Sequence, residues 1–269
     1  MRLGVTMFTT DLAMPVQDLA RAAEERGFDS LYVPEHTHIP VSRRTPYPGG
    51  AGELPDEYRR TLDPLVALSF AAAATSRLRV GTGILLAAQR EPIVTAKAIA
   101  TLDRLSGGRV VVGVGFGWNV EEIENHGVPY GRRREVARRN VLAMQALWRD
   151  EVASIDGCEP CWSWPKPLAG LPVYVGGAAG AKLFAHVAEY AEGWMPIGGH
   201  GIKAALPALR EACDKAGRPM AKVIPFGTRP TQEKLEYFAG LGVEEAVATL
   251  PSGPAEVVLP LLDKYATLL

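Results

Sequence analysis

Along the chain, short apolar runs rich in β-branched residues alternate with longer stretches whose apolar positions recur at helical spacing. That alternation is the pattern of βαβ units stacked around a parallel sheet. The strand candidates are Arg2 to Phe8, Ser30 to Val33, Arg79 to Leu85, Val110 to Val114, Pro172 to Val175, Gly193 to Ile197, Lys222 to Phe226 and Glu244 to Thr249. Helices are expected to begin near Val16, Asp63, Pro92, Asn119, Ala179, Ile202, Thr231 and Ala255, several of them at a Pro or behind an Asp or Thr cap. Eight strands each followed by a helix is the count of a (β/α)8 TIM barrel. A doubly wound open sheet would show roughly five to seven strands and a glycine fingerprint after the first. Here Thr9, Thr10 and Asp11 follow the first strand, with no Gly-x-Gly. One α/β barrel domain over residues 1–269 is therefore expected.

Two segments break the pattern of short connections. Residues 36–61 hold Arg43, Arg44, Pro46, Pro48, Gly49, Gly50 and Pro55, too long and irregular for a connector, and read as a lid. Residues 154–171 carry Trp162, Trp164, Pro165 and Pro167 ahead of the fifth strand candidate.

Composition narrows the partners. With 29 basic and 30 acidic residues, the net charge of −1 offers no field to recruit nucleic acid or an anionic membrane. The apolar stretch from Leu65 to Ala74 is far short of the roughly 18 residues of a membrane span, and the first residues lack the features of a signal peptide. A cytoplasmic location and a small-molecule partner are expected. Cys158 and Cys161 form a Cys-x-x-Cys, but no second pair supplies the remaining ligands of a zinc site, so no metal is expected.

In a barrel the working face is the C-terminal end of the strands, so the residues that follow each strand are the ones to examine. After the second strand, Glu35 and His36 put a carboxylate beside the side chain best able to give or take a proton near neutral pH, and they are the candidate catalytic pair. His38 lies inside the lid, and His126, just before Gly127, suits a helix end. His200, between glycines after the sixth strand, and Trp118, after the fourth, are candidate substrate contacts. Gly176, Gly177 and Ala178 stand where the fifth strand opens into a helix, whose free N–H groups and dipole favour a phosphate. Gly115 and Gly117 suit the approach of a flat ring, with Asn119 offering both a donor and an acceptor. Gly81, Thr82 and Gly83 place two glycines inside a strand, which marks a bulge or a contacting ligand. A turn, a cap or close packing is the plain alternative for each.

The run LRVGTGILLAAQREPIVTAKAIATLDRLSGGRVVVGVGFGWNVEEIENHG, ending at Gly127, resembles the luciferase-like monooxygenase family, and within it the branch that uses the deazaflavin coenzyme F420. LYVPEHTHIP, SWPKP, VYVGG and EGWMPIG extend the likeness over nearly the whole chain, in order. The resemblance implies a ring across the barrel mouth against Gly81 to Gly83 and Gly115 to Asn119, with its phosphate on Gly176, Gly177 and Ala178. It implies that His36 stands near the reactive carbon as proton donor or anion stabiliser, and that the protein is a homodimer. The stretch 154–171 is shorter than in similar members, which bears on the wall covering the cofactor. The expected activity is F420-dependent hydride transfer to or from a small organic substrate, with Arg43 and Arg44 meeting the carboxylates of the F420 tail. A flavin mononucleotide (FMN) monooxygenase, or a catalytically silent flavin or deazaflavin binder, would use the same fold.

Overall fold

The computed structural model describes residues 1–50 and 53–269. The strands are β1 (Arg2–Thr6), β2 (Ser30–Val33), β3 (Arg79–Leu86), β4 (Val110–Gly115), β5 (Val173–Gly176), β6 (Gly193–Met195), β7 (Lys222–Val223) and β8 (Glu245–Thr249). The helices are α1 (Val16–Glu25), α2 (Pro64–Ala73), α3 (Pro92–Ser106), α4 (Val120–Asn125), α5 (Arg133–Arg149), α6 (Ala181–Tyr190), α7 (Ile202–Lys215), α8 (Gln232–Gly240) and α9 (Ala255–Ala266). All strand pairs are parallel, in the order β7-β6-β5-β4-β3-β2-β1-β8. The seam between the end strands is drawn together by Val247 N–H donating to Pro225 O and Thr228 N–H donating to Val247 O, each at 2.9 Å. This is the expected (β/α)8 barrel.

Strand periodicity separates two cores. Leu31, Val33, Val80, Val112 and Val114 face outward into the layer shared with the helices. Tyr32, Val111, Tyr174, Met195, Ile224 and Val247 face inward and fill the barrel, with Ile84 and Phe226 packed on them. Beneath that filling, Glu245, 1% exposed, accepts hydrogen bonds from Ser30 Oγ (2.7 Å), Tyr32 OH (3.2 Å) and Arg79 Nη2 (2.6 Å). Burial, then the adjacent Glu245 charge, pushes the Tyr32 phenol well above its ordinary range.

Local chemistry accounts for the departures from the expected elements. The regular pairing of β6 and β7 stops short, because Pro196 and Pro225 carry no N–H, and resumes as a single bridge between Ile197 and Phe226. The helix expected from Asn119 is cut at Gly127 (φ +76°) and Pro129, which end α4 and start α5 afresh at Arg133. That break carries the first turn of α5 to the barrel mouth. The helix expected from Ala179 starts at Ala181.

The lid reading covers residues 36–61, of which Ala51 and Gly52 lie outside the described residues. Its described parts are irregular apart from a 3-10 turn at Asp56–Arg60, moored where Thr61 pairs with Thr10 and Arg60 Nη1 reaches Asp11 Oδ2 at 2.9 Å. Residues 154–171 precede β5 and so approach the opposite end of the barrel from the strand C-termini. Among the described residues no helix is long and apolar enough to cross a membrane, and no group of three or more His, Cys, Asp or Glu could hold a metal ion.

Candidate functional site

A cavity of about 420 Å³ opens at the C-terminal ends of the strands and takes wall residues from all eight strand ends. His36 and Glu35 both line it, but they face different partners. Glu35 is 3% exposed; its Oε2 accepts Leu86 N–H at 2.6 Å and its Oε1 accepts Arg90 Nε at 2.7 Å. Arg90 continues to Asp63, which caps α2. Burial raises the Glu35 pKa against the lowering pull of Arg90. With both oxygens engaged, Glu35 clamps the end of β2 to β3 and α2.

The partner of His36 comes from α4. His36 Nδ1 lies 2.7 Å from Glu122 Oε2, with the two side chains 6% and 1% exposed. The second oxygen, Oε1, accepts the Thr37 N–H at 3.1 Å. The bond at Nδ1 leaves Nε2 as the ring nitrogen free for chemistry. Nothing in the sequence marks Glu122 over Glu121 until the helix is placed, since neighbours on a helix point about 100° apart. Glu121 turns instead to the lid, accepting from Arg44 N–H (2.8 Å) and Thr45 Oγ1 (2.5 Å).

Aromatic rings wall this side of the cavity. Tyr58, from the 3-10 turn of the lid, has its ring centre 5.1 Å from His36 and 4.6 Å from Phe8, and Trp118 stands 5.8 Å from His36. Burial and the neighbouring Tyr47 hydroxyl hold the Tyr58 phenol well above its usual range, so it remains a neutral O–H.

The cavity is also lined by glycines and guanidinium groups. Gly115, Gly117, Gly176 and Gly177 line the cavity together with Arg133 and Arg134. Arg133 lies over the Tyr130 ring at 3.7 Å and its Nη1 donates to Tyr130 O at 2.9 Å. Arg134 lies over Phe116 at 4.5 Å, and its Nη1 is buried with no hydrogen-bond partner in the protein. Burial and the Arg133 charge both disfavour its protonated state. A buried N–H without an acceptor is costly, and an anion in the cavity that reached Nη1 would relieve it. Gly177 takes φ +147°, a conformation that side chains resist, and a Cβ there would come 3.1 Å from Leu183 Cδ1. A guanidinium N–H without a partner, in the same cavity as a glycine backbone whose φ side chains resist, fits the phosphate of a flavin-type cofactor.

Other expected residues lie off the cavity wall. A Cβ on Gly81 would stand 2.5 Å from the Tyr32 ring, and Thr82 Oγ1 donates to Gly113 O at 2.7 Å. Both positions thus sit at the level of the barrel filling, below the ring site expected of them, whereas Gly83 does reach the cavity. Asn119 is 1% exposed with neither amide atom partnered, and it does not line the cavity. Arg43 lies 5.8 Å over Trp118 and donates to Thr45 O, while Arg44 points into solvent with 90% of its side chain exposed. Ala178 and His200 are exposed beside the mouth. His38 and His126 share the Thr37 hydroxyl, at 2.9 and 2.7 Å. No residue of 154–171 lines the cavity, so the length of that segment does not shape its wall.

Residues 9–231 match the family model described as luciferase-like monooxygenase. The chain is 42% identical over 275 residues to an uncharacterized protein of Mycobacterium tuberculosis, covering 99% of this chain and 98% of that one. It is 30% identical over 292 residues to the phthiodiolone/phenolphthiodiolone dimycocerosates ketoreductase of the same species, covering 95% of this chain and 76% of the relative. Among solved structures, a monooxygenase from Streptomyces bottropensis superimposes with a TM-score of 0.78 at 18% identity, over 100% of this chain and 98% of that one. The coenzyme F420 dependent tetrahydromethanopterin reductase of Methanopyrus kandleri gives 0.61 at 20% identity, over 87% and 69%. The oxygenating constituent of 3,6-diketocamphane monooxygenase of Pseudomonas putida, in complex with FMN, gives 0.64 at 16% identity, over 89% and 71%.

Proposed function

Since the chain belongs to the luciferase-like monooxygenase family, a family of oxidoreductases, we propose that it uses coenzyme F420 to reduce or oxidise a small carbonyl-type organic substrate at the barrel mouth. The observation that carries this reading is that one cavity is lined both by Arg134, whose Nη1 is buried without a partner, and by the paired imidazole of His36. When bound, the deazaflavin supplies or accepts the hydride. Arg134 and the Gly176–Gly177 backbone would hold its phosphate, and the ring would lie along the wall that includes Gly83, Gly115 and Gly117, where Phe226, Ile84 and Ile123 take the space of the missing side chains. Reduction of a carbonyl creates negative charge on its oxygen, and His36 in its doubly protonated form delivers the proton from Nε2 while keeping the one on Nδ1 against Glu122. Phe8, Tyr58 and Trp118 keep bulk water from that transfer. Similarity to a ketoreductase and to an F420-dependent reductase supports carbonyl chemistry and the deazaflavin.

Binding and turnover test the reading separately. Arg134→Gln removes a charge-assisted contact, and F420 affinity in equilibrium dialysis should fall about 10- to 100-fold. Gly177→Asp should weaken binding further by setting a carboxylate against the phosphate, with Gly177→Ala reporting the backbone strain alone. Unchanged affinity in folded Arg134→Gln and Gly177→Asp would place the phosphate elsewhere. For turnover, reduced F420 is mixed with a panel of ketones and α,β-unsaturated ketones, and oxidation of the cofactor at a rate no faster than without protein would count against the reaction.

The expected homodimer has a physical candidate for its contact. Helix α2 is apolar on every side, and Val66 and Phe70, one turn apart, are each 60% exposed. Burial of such a pair against a second copy would offset the cost of leaving it in water. Phe70→Glu should therefore convert a dimer to a monomer in light scattering, and an unchanged mass would remove α2 from the contact.

A further inference from the structure

We propose that Glu122 is the positioning residue of this site: its carboxylate fixes the proton of His36 on Nδ1 and thereby presents Nε2 to the substrate. The inference rests on the reading of His36 as the proton donor, and it assigns a role to a residue that stands behind the cavity wall and is not itself part of it.

The hydrogen bonds around Glu122 leave little freedom. A carboxylate only accepts, so Oε2, 2.7 Å from Nδ1, requires the proton to reside on Nδ1. Oε1 is occupied by the Thr37 N–H at 3.1 Å, which can only donate. Two donors from adjacent residues at the end of β2 thus converge on one buried carboxylate held in the first turn of α4. The arrangement sets the tautomer of the neutral ring, fixes the ring plane and keeps Nδ1–H engaged when Nε2 takes up or gives a proton, as a carboxylate behind a catalytic histidine does in general. Other charges in the neighbourhood have their own partners: Glu35 is held by Arg90, and Glu121 by Arg44 and Thr45. His126 and His38 meet at the Thr37 hydroxyl on the outer side.

The same bonds make Glu122→Gln an informative change. Glutamine keeps the shape but has one accepting oxygen and one NH2 that only donates. The Thr37 N–H must keep the oxygen, so the NH2 turns to Nδ1. Nδ1 must then accept, and the proton moves to Nε2. Glu122→Asp retains two accepting oxygens on a shorter arm and should restore the original tautomer in part.

The test has a readout independent of turnover. In protein labelled with 15N in its imidazoles, His36 should show the Nδ1–H form in the parent and chiefly the Nε2–H form in Glu122→Gln, with Glu122→Asp between them; His36→Asn identifies the signal. Proton donation needs a ring protonated on both nitrogens, and an amide N–H held against Nδ1 denies it the second proton, so with reduced F420 and cyclohex-2-en-1-one as the probe pair kcat should fall on the order of 100-fold in Glu122→Gln, while KM and F420 affinity stay within about threefold and Glu122→Asp recovers part of the loss. An unchanged tautomer in folded Glu122→Gln overturns the proposal. So does an equal loss of kcat and of melting temperature in both variants with no change of tautomer. If His36→Asn turns over at the parent rate, the reading of His36 as proton donor fails, and the tautomer alone then decides whether Glu122 governs the ring.

Discussion

Replacing His36 with alanine should lower turnover of reduced F420 by about 100- to 10,000-fold while cofactor affinity changes by less than about threefold, because general acid help acts on the transition state and not on the cofactor. The structure adds a second effect. His36→Ala removes one of the two donors on Glu122, whose side chain is 1% exposed, so the variant should also melt lower than the parent. His36→Gln, which keeps an N–H to offer to that carboxylate, should recover stability without recovering turnover. Melting temperature and single-turnover rate on the same preparation separate the two contributions. A His36→Gln protein that melts like the parent and reduces substrate at the parent rate would show that the proton comes from another group.

The largest expected loss of stability lies at the other end of the barrel. Glu245 is the common acceptor for Ser30, Tyr32 and Arg79, and Tyr32 is completely buried. Glu245→Ala would leave a phenol and a guanidinium without their acceptor, and breaking a buried pair by removing one partner costs about 3–5 kcal/mol. For a chain of this size that corresponds to a fall in Tm of roughly 6–20 °C. The damage should reach the site as well. The Tyr32 ring fills the space above Gly81, and its edge meets Phe226, 5.6 Å away, which lines the cavity. A fall of less than about 2 °C would show that water or a side-chain rearrangement replaces the lost acceptor.

What the sequence could reveal followed from how local each signal is. Eight β-branched runs and the helices between them are contiguous patterns, and the barrel could be read from them. The short spans of β6 and β7 could not, because Pro196 and Pro225 interrupt the ladder in runs that are otherwise good strands. Glu35 and His36 were visible as a polar pair past a strand end, but they lie in irregular chain beyond Val33, where no period fixes their directions, and the structure joins each to a different distant element. The place of Glu122 depends on where α4 begins, at Val120, and that of Arg134 on the break at Gly127 and Pro129 after which α5 starts. Gly81 illustrates the converse. Its role is to make room for Tyr32, a residue from another strand, so a glycine in a strand gave no means of choosing between a ligand and a neighbour.

The most direct test of the proposed function is equilibrium dialysis of the purified protein against F420 and, separately, against FMN, read by the absorbance retained with the protein and repeated with Arg134→Gln. The expected result is saturable retention of one F420 per chain, weaker retention of FMN, and loss of both in the variant. Retention of neither cofactor by folded parent protein, or F420 binding that Arg134→Gln leaves unchanged, would contradict it.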